Sequence, residues 1–159
     1  RFIGGDVVAE VLTGQEIVSD ISTRLRNRFS TTQFKEIYKD TPVQGASPPY
    51  IFIHSVDTEH IHQLRGYGWR NYLIDIRCHP AKMQTNVQTW GRGVAEMVMD
   101  CLDTLTVDGQ QVRAGDVEWK VEENVLHVIF KYGFRVRKVP DVIPDMQTLT
   151  YGEHIKDKE

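Results

Sequence analysis

This 159-residue chain has only two cysteines, Cys78 and Cys101, and their spacing matches no zinc or redox motif. Both read as buried free thiols of a reducing compartment, Cys78 in a strand and Cys101 on the apolar side of a helix. No apolar run approaches the ~18 residues of a membrane-spanning helix. The opening, Arg1-Phe-Ile-Gly-Gly-Asp6, puts an acid where a signal peptide would have its apolar core. No targeting segment is therefore expected, and a first residue other than Met is consistent with a trimmed start. Basic excess is also lacking: 19 Lys and Arg against 22 Asp and Glu leave a net charge of −3. A duplex-binding protein would carry a strongly basic footprint, so the balance argues against that class. It does not exclude a ring through which DNA merely passes. Phosphate-binding glycine loops are missing as well. Gly66-Tyr-Gly68 and Gly91-Arg-Gly93 lack the third glycine, and the first of them precedes a strand where the fingerprint must precede a helix. Ser55 and Cys101, the candidate nucleophiles, lie in no recognised catalytic context.

What is present suits one ordinary domain. Hydrophobic residues make up 40% and charged residues 26% of the chain. A chain of this length buries roughly 70% of its unfolded surface, so neither disulfide nor metal is needed to staple it. Residues 1–12 form an arm that either adds a strand to something or is a remnant outside the fold. Residues 13–139 form the domain and residues 140–159 a tail.

Within the domain, Thr13-Gly-Gln-Glu16 reads as a capping box opening a helix. Ile17, Ile21 and Leu25 make its apolar stripe, with Val18 and Phe29 beside it. Arg24, Arg26 and Arg28 crowd its C-terminal end, opposite the negative pole of the helix dipole. Short strands follow at 35–40 and 50–56, and residues 57–66 read as a polar connection. A long strand over 67–79 sets Tyr72, Ile74, Ile76 and Cys78 toward the core and Trp69, Asn71, Leu73, Asp75 and Arg77 away from it. A second helix is expected from Thr85 or Asn86 to Leu105, capped by Thr85 with Gln88. Its Gly91 and Gly93 imply close approach of another backbone. Val107-Asp108-Gly109 signals a hairpin, and Val117, Trp119 and Val121 alternate with Glu118, Lys120 and Glu122 as a one-sided strand. The final strand, 125–138, is long. Leu126, Val128, Phe130, Tyr132, Phe134 and Val136 lie on its core face, with His127, Lys131, Arg135 and Arg137 on the other. The fold class this implies is α+β: one mostly antiparallel sheet with two helices packed on one face.

Three groups of residues invite a functional reading. His54, His60 and His62, with Asp57 and Glu59, hold metal-binding chemistry in a short stretch; the plainer reading is a polar loop. Arg65, Arg70, Arg77, Arg135, Arg137 and Lys138 offer basic contacts for an acidic protein or for phosphates; the plainer reading is a solvated sheet face or charges that guard a sheet edge. In the tail, Met146, Leu149, Tyr151 and Ile155 are apolar anchors suited to docking on a neighbour, set against a disordered terminus.

Val125-Leu-His-Val-Ile-Phe-Lys-Tyr-Gly-Phe-Arg-Val-Arg-Lys138, followed by Asp145-Met-Gln-Thr-Leu149, resembles the C-terminal signature of a tail terminator family of phages and phage-derived tail particles of Gram-positive bacteria. Gly68-Trp-Arg-Asn-Tyr-Leu-Ile-Asp-Ile-Arg-Cys-His-Pro80 is similar to that family's central strand, and the Val107–Gly109 turn fits. The likeness covers about residues 13–150; the arm before them departs from it. It implies a structural virion or tailocin protein, not an enzyme, needing no cofactor and no metal. Such a protein forms a ring, usually hexameric, on the head-proximal end of the tail tube. It stops polymerisation and links to the neck, connector or sheath of a contractile tail. The implied partners are further copies of the chain, the tube protein, and sheath and head-connector proteins. No membrane is involved, and assembly is expected in the bacterial host cytoplasm. The expected interface residues are Arg65, Arg70, Arg77, Arg135, Arg137, Lys138, Met146, Leu149 and Tyr151. The alternatives are a head-completion or neck protein, a metal-dependent hydrolase using His54, His60 and His62, and a nucleic-acid-binding module.

Overall fold

A computed structural model describes residues 8–9, 14–39, 41 and 44–137. Its elements run β1 (Val8–Ala9), α1 (Gly14–Arg28), β2 (Glu36–Tyr38), β3 (Tyr50–His62), β4 (Tyr67–His79), α2 (Val87–Leu102), β5 (Thr104–Val107), β6 (Gln110–Glu122) and β7 (Val125–Arg137). The class is α+β, with a sheet in the order β2-β3-β4-β7-β6-β5 and β1 attached to β7. Thr13, the cap expected for the first helix, and Lys138, Met146, Leu149, Tyr151 and Ile155 of the tail lie outside the described residues.

Alternation decides which face is core. Tyr72, Ile74, Ile76 and Cys78 on β4 register against Tyr132, Phe130, Val128 and Leu126 on β7, and all are buried. Val117, Trp119 and Val121 of β6 and Ile51 and Ile53 of β3 continue that face on either side. The α1 stripe of Ile17, Val18, Ile21 and Leu25 and the α2 stripe of Val94, Ala95, Val98 and Leu102 belong to the same buried cluster. Asp20 ties α1 to the β5 edge: its Oδ2 accepts from Arg24 Nε at 2.9 Å and from the Thr106 backbone N–H at 3.1 Å. Arg24 also donates to Thr106 Oγ1, and Arg26 donates to the Phe34 carbonyl. Two of these C-terminal arginines therefore bind specific partners in addition to any effect on the helix dipole.

Tight turns join β3 to β4, β5 to β6 and β6 to β7, and those pairs are antiparallel. The β5–β6 turn has Asp108 and Gly109 at φ 50° and 77°, as the Asp-Gly signal predicts. β2 with β3 and β1 with β7 are parallel, whereas β4 with β7, joined only through α2, β5 and β6, is antiparallel. A bulge between Ala114 and Val117 redirects β6 from β7 toward β5.

Several sequence-based boundaries move. The second helix ends at Leu102, not Leu105. Thr104–Val107 pairs with Gln110–Arg113 instead, and this burial of Leu105 and Val107 in β5 outweighs helical continuation. Asn86, at φ 52°, stands at its N-terminus and no side chain caps it, so the Thr85–Gln88 box does not form. At Gly91 the close approach comes from side chains. A Cβ there would meet Val121 Cγ2 at 2.8 Å, whereas one at Gly93 would meet nothing within 4 Å. The largest shift concerns residues 57–66. β3 runs on to His62, paired with β4 throughout, and only the short Leu64–Gly66 turn separates the two strands.

Candidate assembly interface

That extension makes an arm. β3 and β4 are each 13 residues long, and their Ser55–Gly66 end leaves the buried core, while β7 beside them keeps Tyr132, Phe134 and Val136 buried. From Ser55 to Gly66 every residue is exposed. The arm concentrates apolar exposure: Val56 is 48%, Ile61 45%, Leu64 88% and Trp69 37% accessible. Arg65 at φ 62° and Gly66 at φ 74° form its tip. The left-handed pair turns the chain tightly and leaves Leu64 projecting.

A bulge at Val56 decides which side chains share a face. Before it, His54 registers with Asp75; after it, Asp57, Glu59 and Ile61 register with Leu73, Asn71 and Trp69. Even-numbered His54 therefore lies on the face away from the core, whereas His60 and His62 lie on the opposite one. The His60 and His62 rings touch at 4.5 Å between centroids, but His54 cannot join them. Among the described residues no group of three His, Cys, Asp or Glu side chains could hold a metal. Partial desolvation, with His62 and Arg70 nearby, lowers the His60 pKa below its ordinary value. Its neutral Nδ1 accepts from Arg70 Nε at 3.2 Å.

The face away from the core is polar but ordered. Asp75 at its centre is 5% exposed. Its Oδ2 accepts from Arg77 Nε at 3.0 Å and pairs with His127 Nδ1 at 2.9 Å. Arg77 also lies over the Phe52 ring. Nearer the tip, Trp69 crosses Gly133, where a Cβ would meet the indole at 2.7 Å. Trp69 Nε1 donates to Asn71 Oδ1 at 2.7 Å, and Asn71 Nδ2 donates to Glu59 at 3.0 Å. A groove of about 280 Å³ opens beside this network, lined by Asp57, Glu59, Asn71, Leu73 and Lys131.

The basic residues do not form one patch. Arg135 and Arg137 sit over the Tyr67 ring at 4.8 and 5.4 Å. Arg65 is at the adjoining tip, and Arg70 turns to the opposite face beside His60. Arg77 registers with His127, at the other end of β7. The cysteines show no activation. Burial pushes the Cys78 thiol far up, and burial likewise raises Cys101, whose Sγ donates to the Arg24 carbonyl at 3.3 Å.

Among the described residues two edges are incompletely covered. β2 covers β3 only from Tyr50 to Phe52, so among the described residues no strand lies along the edge of Ile53–His62 that faces away from β4. On β7, pairing with β6 ends at Tyr132. Beyond it, among the described residues, Val8 and Ala9 lie along that edge at Arg135 and Val136. The arm and its edge escaped the sequence reading because neither face of 57–62 is buried, and because the bulge breaks the numerical alternation. The alternation of Asp57, Glu59 and Ile61 with Thr58, His60 and His62 was the available signal.

A family model described as phage tail terminator protein matches residues 16–144. The chain belongs to the phage tail terminator family. That family is structural, so the class of function is a structural role in a phage tail or tail-like particle. No curated protein matches the chain. Among solved structures, a chain from "Virion of native gene transfer agent (GTA) particle" aligns with a TM-score of 0.48 at 12% identity, covering 77% of this chain and 96% of that one. Another solved chain aligns with a TM-score of 0.36 at 10% identity over 82% of this chain and 100% of its own length.

Proposed function

We propose that this terminator-family protein assembles into a closed ring, a hexamer. The ring caps the head-proximal end of the tail tube, stops its polymerisation and presents a platform to the neck, connector or sheath. Assembly takes place in the bacterial host cytoplasm. The observation that carries the reading is the open edge of β3 on an exposed, partly apolar arm. An unpaired row of backbone N–H and C=O groups beside exposed apolar side chains invites another chain. A subunit whose two contact surfaces differ forms a ring when its rotation closes. The function needs interface burial and no bond chemistry. The tail beyond 140, with Met146, Leu149 and Tyr151, contributes by docking on a neighbouring subunit or on the tube.

Analytical ultracentrifugation and negative-stain microscopy of the purified chain test this. The expected result is a ring of uniform size that cosediments with tail tubes and sits at one end of each. A protein that stays monomeric at high concentration and ignores tubes overturns the reading. Binding to the portal in place of the tube redirects it to a neck protein.

A further inference from the structure

We infer that the ring closes by strand addition: the open β3 edge of one copy, Asp57–His62, joins the β7 edge of the next, Gly133–Arg137. This rests on the ring reading above and names its contact. Direction, face and charge argue for it independently. β3 and β7 are both antiparallel to β4, so they run the same way. Rotation about a ring axis lying roughly along the strands preserves strand direction, so the neighbour's β3 arrives parallel to β7. That is the sense in which β1 already lies there.

In a continuous sheet the faces must also match. Asp57 and Glu59 lie on the face away from the core, and so do Arg135 and Arg137. Within one copy β4 separates these acids from these bases. Between copies they stand on adjacent strands, about 4.8 Å apart. The stagger that every closed, tilted sheet carries brings Asp57 beside Arg135 and Glu59 beside Arg137. The groove lined by Asp57, Glu59, Asn71, Leu73 and Lys131 then receives a guanidinium from the neighbour. A slip of one residue would set the acids on the face of the buried Phe134 and Val136, which fixes the register. Two-fold pairing of β3 with itself would bring two acidic rows together, so the charge pattern selects the head-to-tail contact.

β1 is then a placeholder. Among the described residues it covers β7 at Arg135 and Val136, and it gives way to the longer incoming strand.

The test is a charge swap in the full-length chain. D57K/E59K and R135E/R137E are each expected to weaken self-association by roughly tenfold or more. Mixing the two variants restores rings, because acid meets base at every contact of an alternating, even-numbered ring. Recovery on mixing also shows that both variants are folded. D57N/E59Q and a salt titration of the unaltered chain provide a second reading, in which association weakens as salt rises. Deleting residues 1–12 tightens association. Rings from either swapped variant alone, no recovery on mixing of two folded variants, or loss of rings on the deletion overturns the proposed contact and leaves the ring reading intact. Rings that form normally but no longer bind tubes show that the arm serves the tube and also overturn it. Failure of the unaltered chain to form any ring rejects the underlying reading itself.

Discussion

A single buried hydroxyl closes the seam between α2 and the sheet. Tyr132 donates to the Leu102 carbonyl at 2.6 Å, satisfying an acceptor that the helix end would otherwise leave buried and unpaired. Tyr132→Phe is expected to cost about 1 kcal/mol in denaturant unfolding, with the secondary structure unchanged. Burial raises the pKa of this phenol and of the Cys78 thiol. Each group therefore holds its proton more tightly folded than unfolded. The stability it contributes is complete below its unfolded value, roughly 8.5 for Cys and 10 for Tyr, and is lost as pH rises from there toward the folded value. Thermal melts should show Tm declining above about pH 9, and the decline should be shallower in the Tyr132→Phe variant. The α2 glycines make a second contrast. Gly93→Ala should stabilise by up to about 1 kcal/mol, since nothing lies near its Cβ position. Gly91→Ala meets the stiff Val121 side chain at 2.8 Å and should lose about 1 kcal/mol or more in the same unfolding assay. Neither Tyr132's partner nor the difference between the two glycines was legible in the sequence. Both depend on what another element places opposite.

At the scale of elements, strands with one buried face were legible and strands with none were not. The alternation from Leu126 to Val136 and from Tyr72 to Cys78 marked two strands and their core sides correctly, because burial imposes a period of two on the composition. Asp57–His62 carries no such imprint, and its pairing comes from continuity with β4. The helix end was misplaced for a related reason: Leu105 is buried in β5, and an apolar residue at that position suits a helical stripe equally, so its apolarity does not distinguish the two. The β6–β7 turn was legible only as a turn. Glu123 at φ 51° and Asn124 at φ 60° both occupy the left-handed region, which Glu tolerates poorly. Replacing the pair with Asn-Gly should raise stability by about 0.5–1 kcal/mol, measured as a higher denaturant midpoint.

For the whole molecule, the chemistry-bearing residues that drew attention in the sequence disperse, and the residues that read as filler converge. The histidines separate across a bulge and the arginines divide between two ends and two faces. Asp57, Glu59, Ile61 and Leu64, first read as a polar connection, belong to an exposed arm that runs from Ser55 to Gly66. Leu64→Ser with Ile61→Thr should leave the monomer's unfolding free energy within about 0.5 kcal/mol of unchanged in denaturant titration, as expected for exposed positions. If the arm is a contact, the same pair should reduce association measurably by sedimentation.

The thirteen-residue strands β3 and β4, paired from the core to the tip with one bulge at Val56, also determine how the protein would bear force. Ladder hydrogen bonds lie across the strands. Tension applied at the Leu64–Gly66 tip therefore acts along β3 and β4, shearing many such bonds at once instead of peeling them open singly. A tail is pushed and pulled along its length, and in such a subunit the sheet that shapes the fold would also serve as its tendon. Single-molecule pulling from Leu64 against the far end of β7 should give a markedly higher rupture force than pulling across the strands.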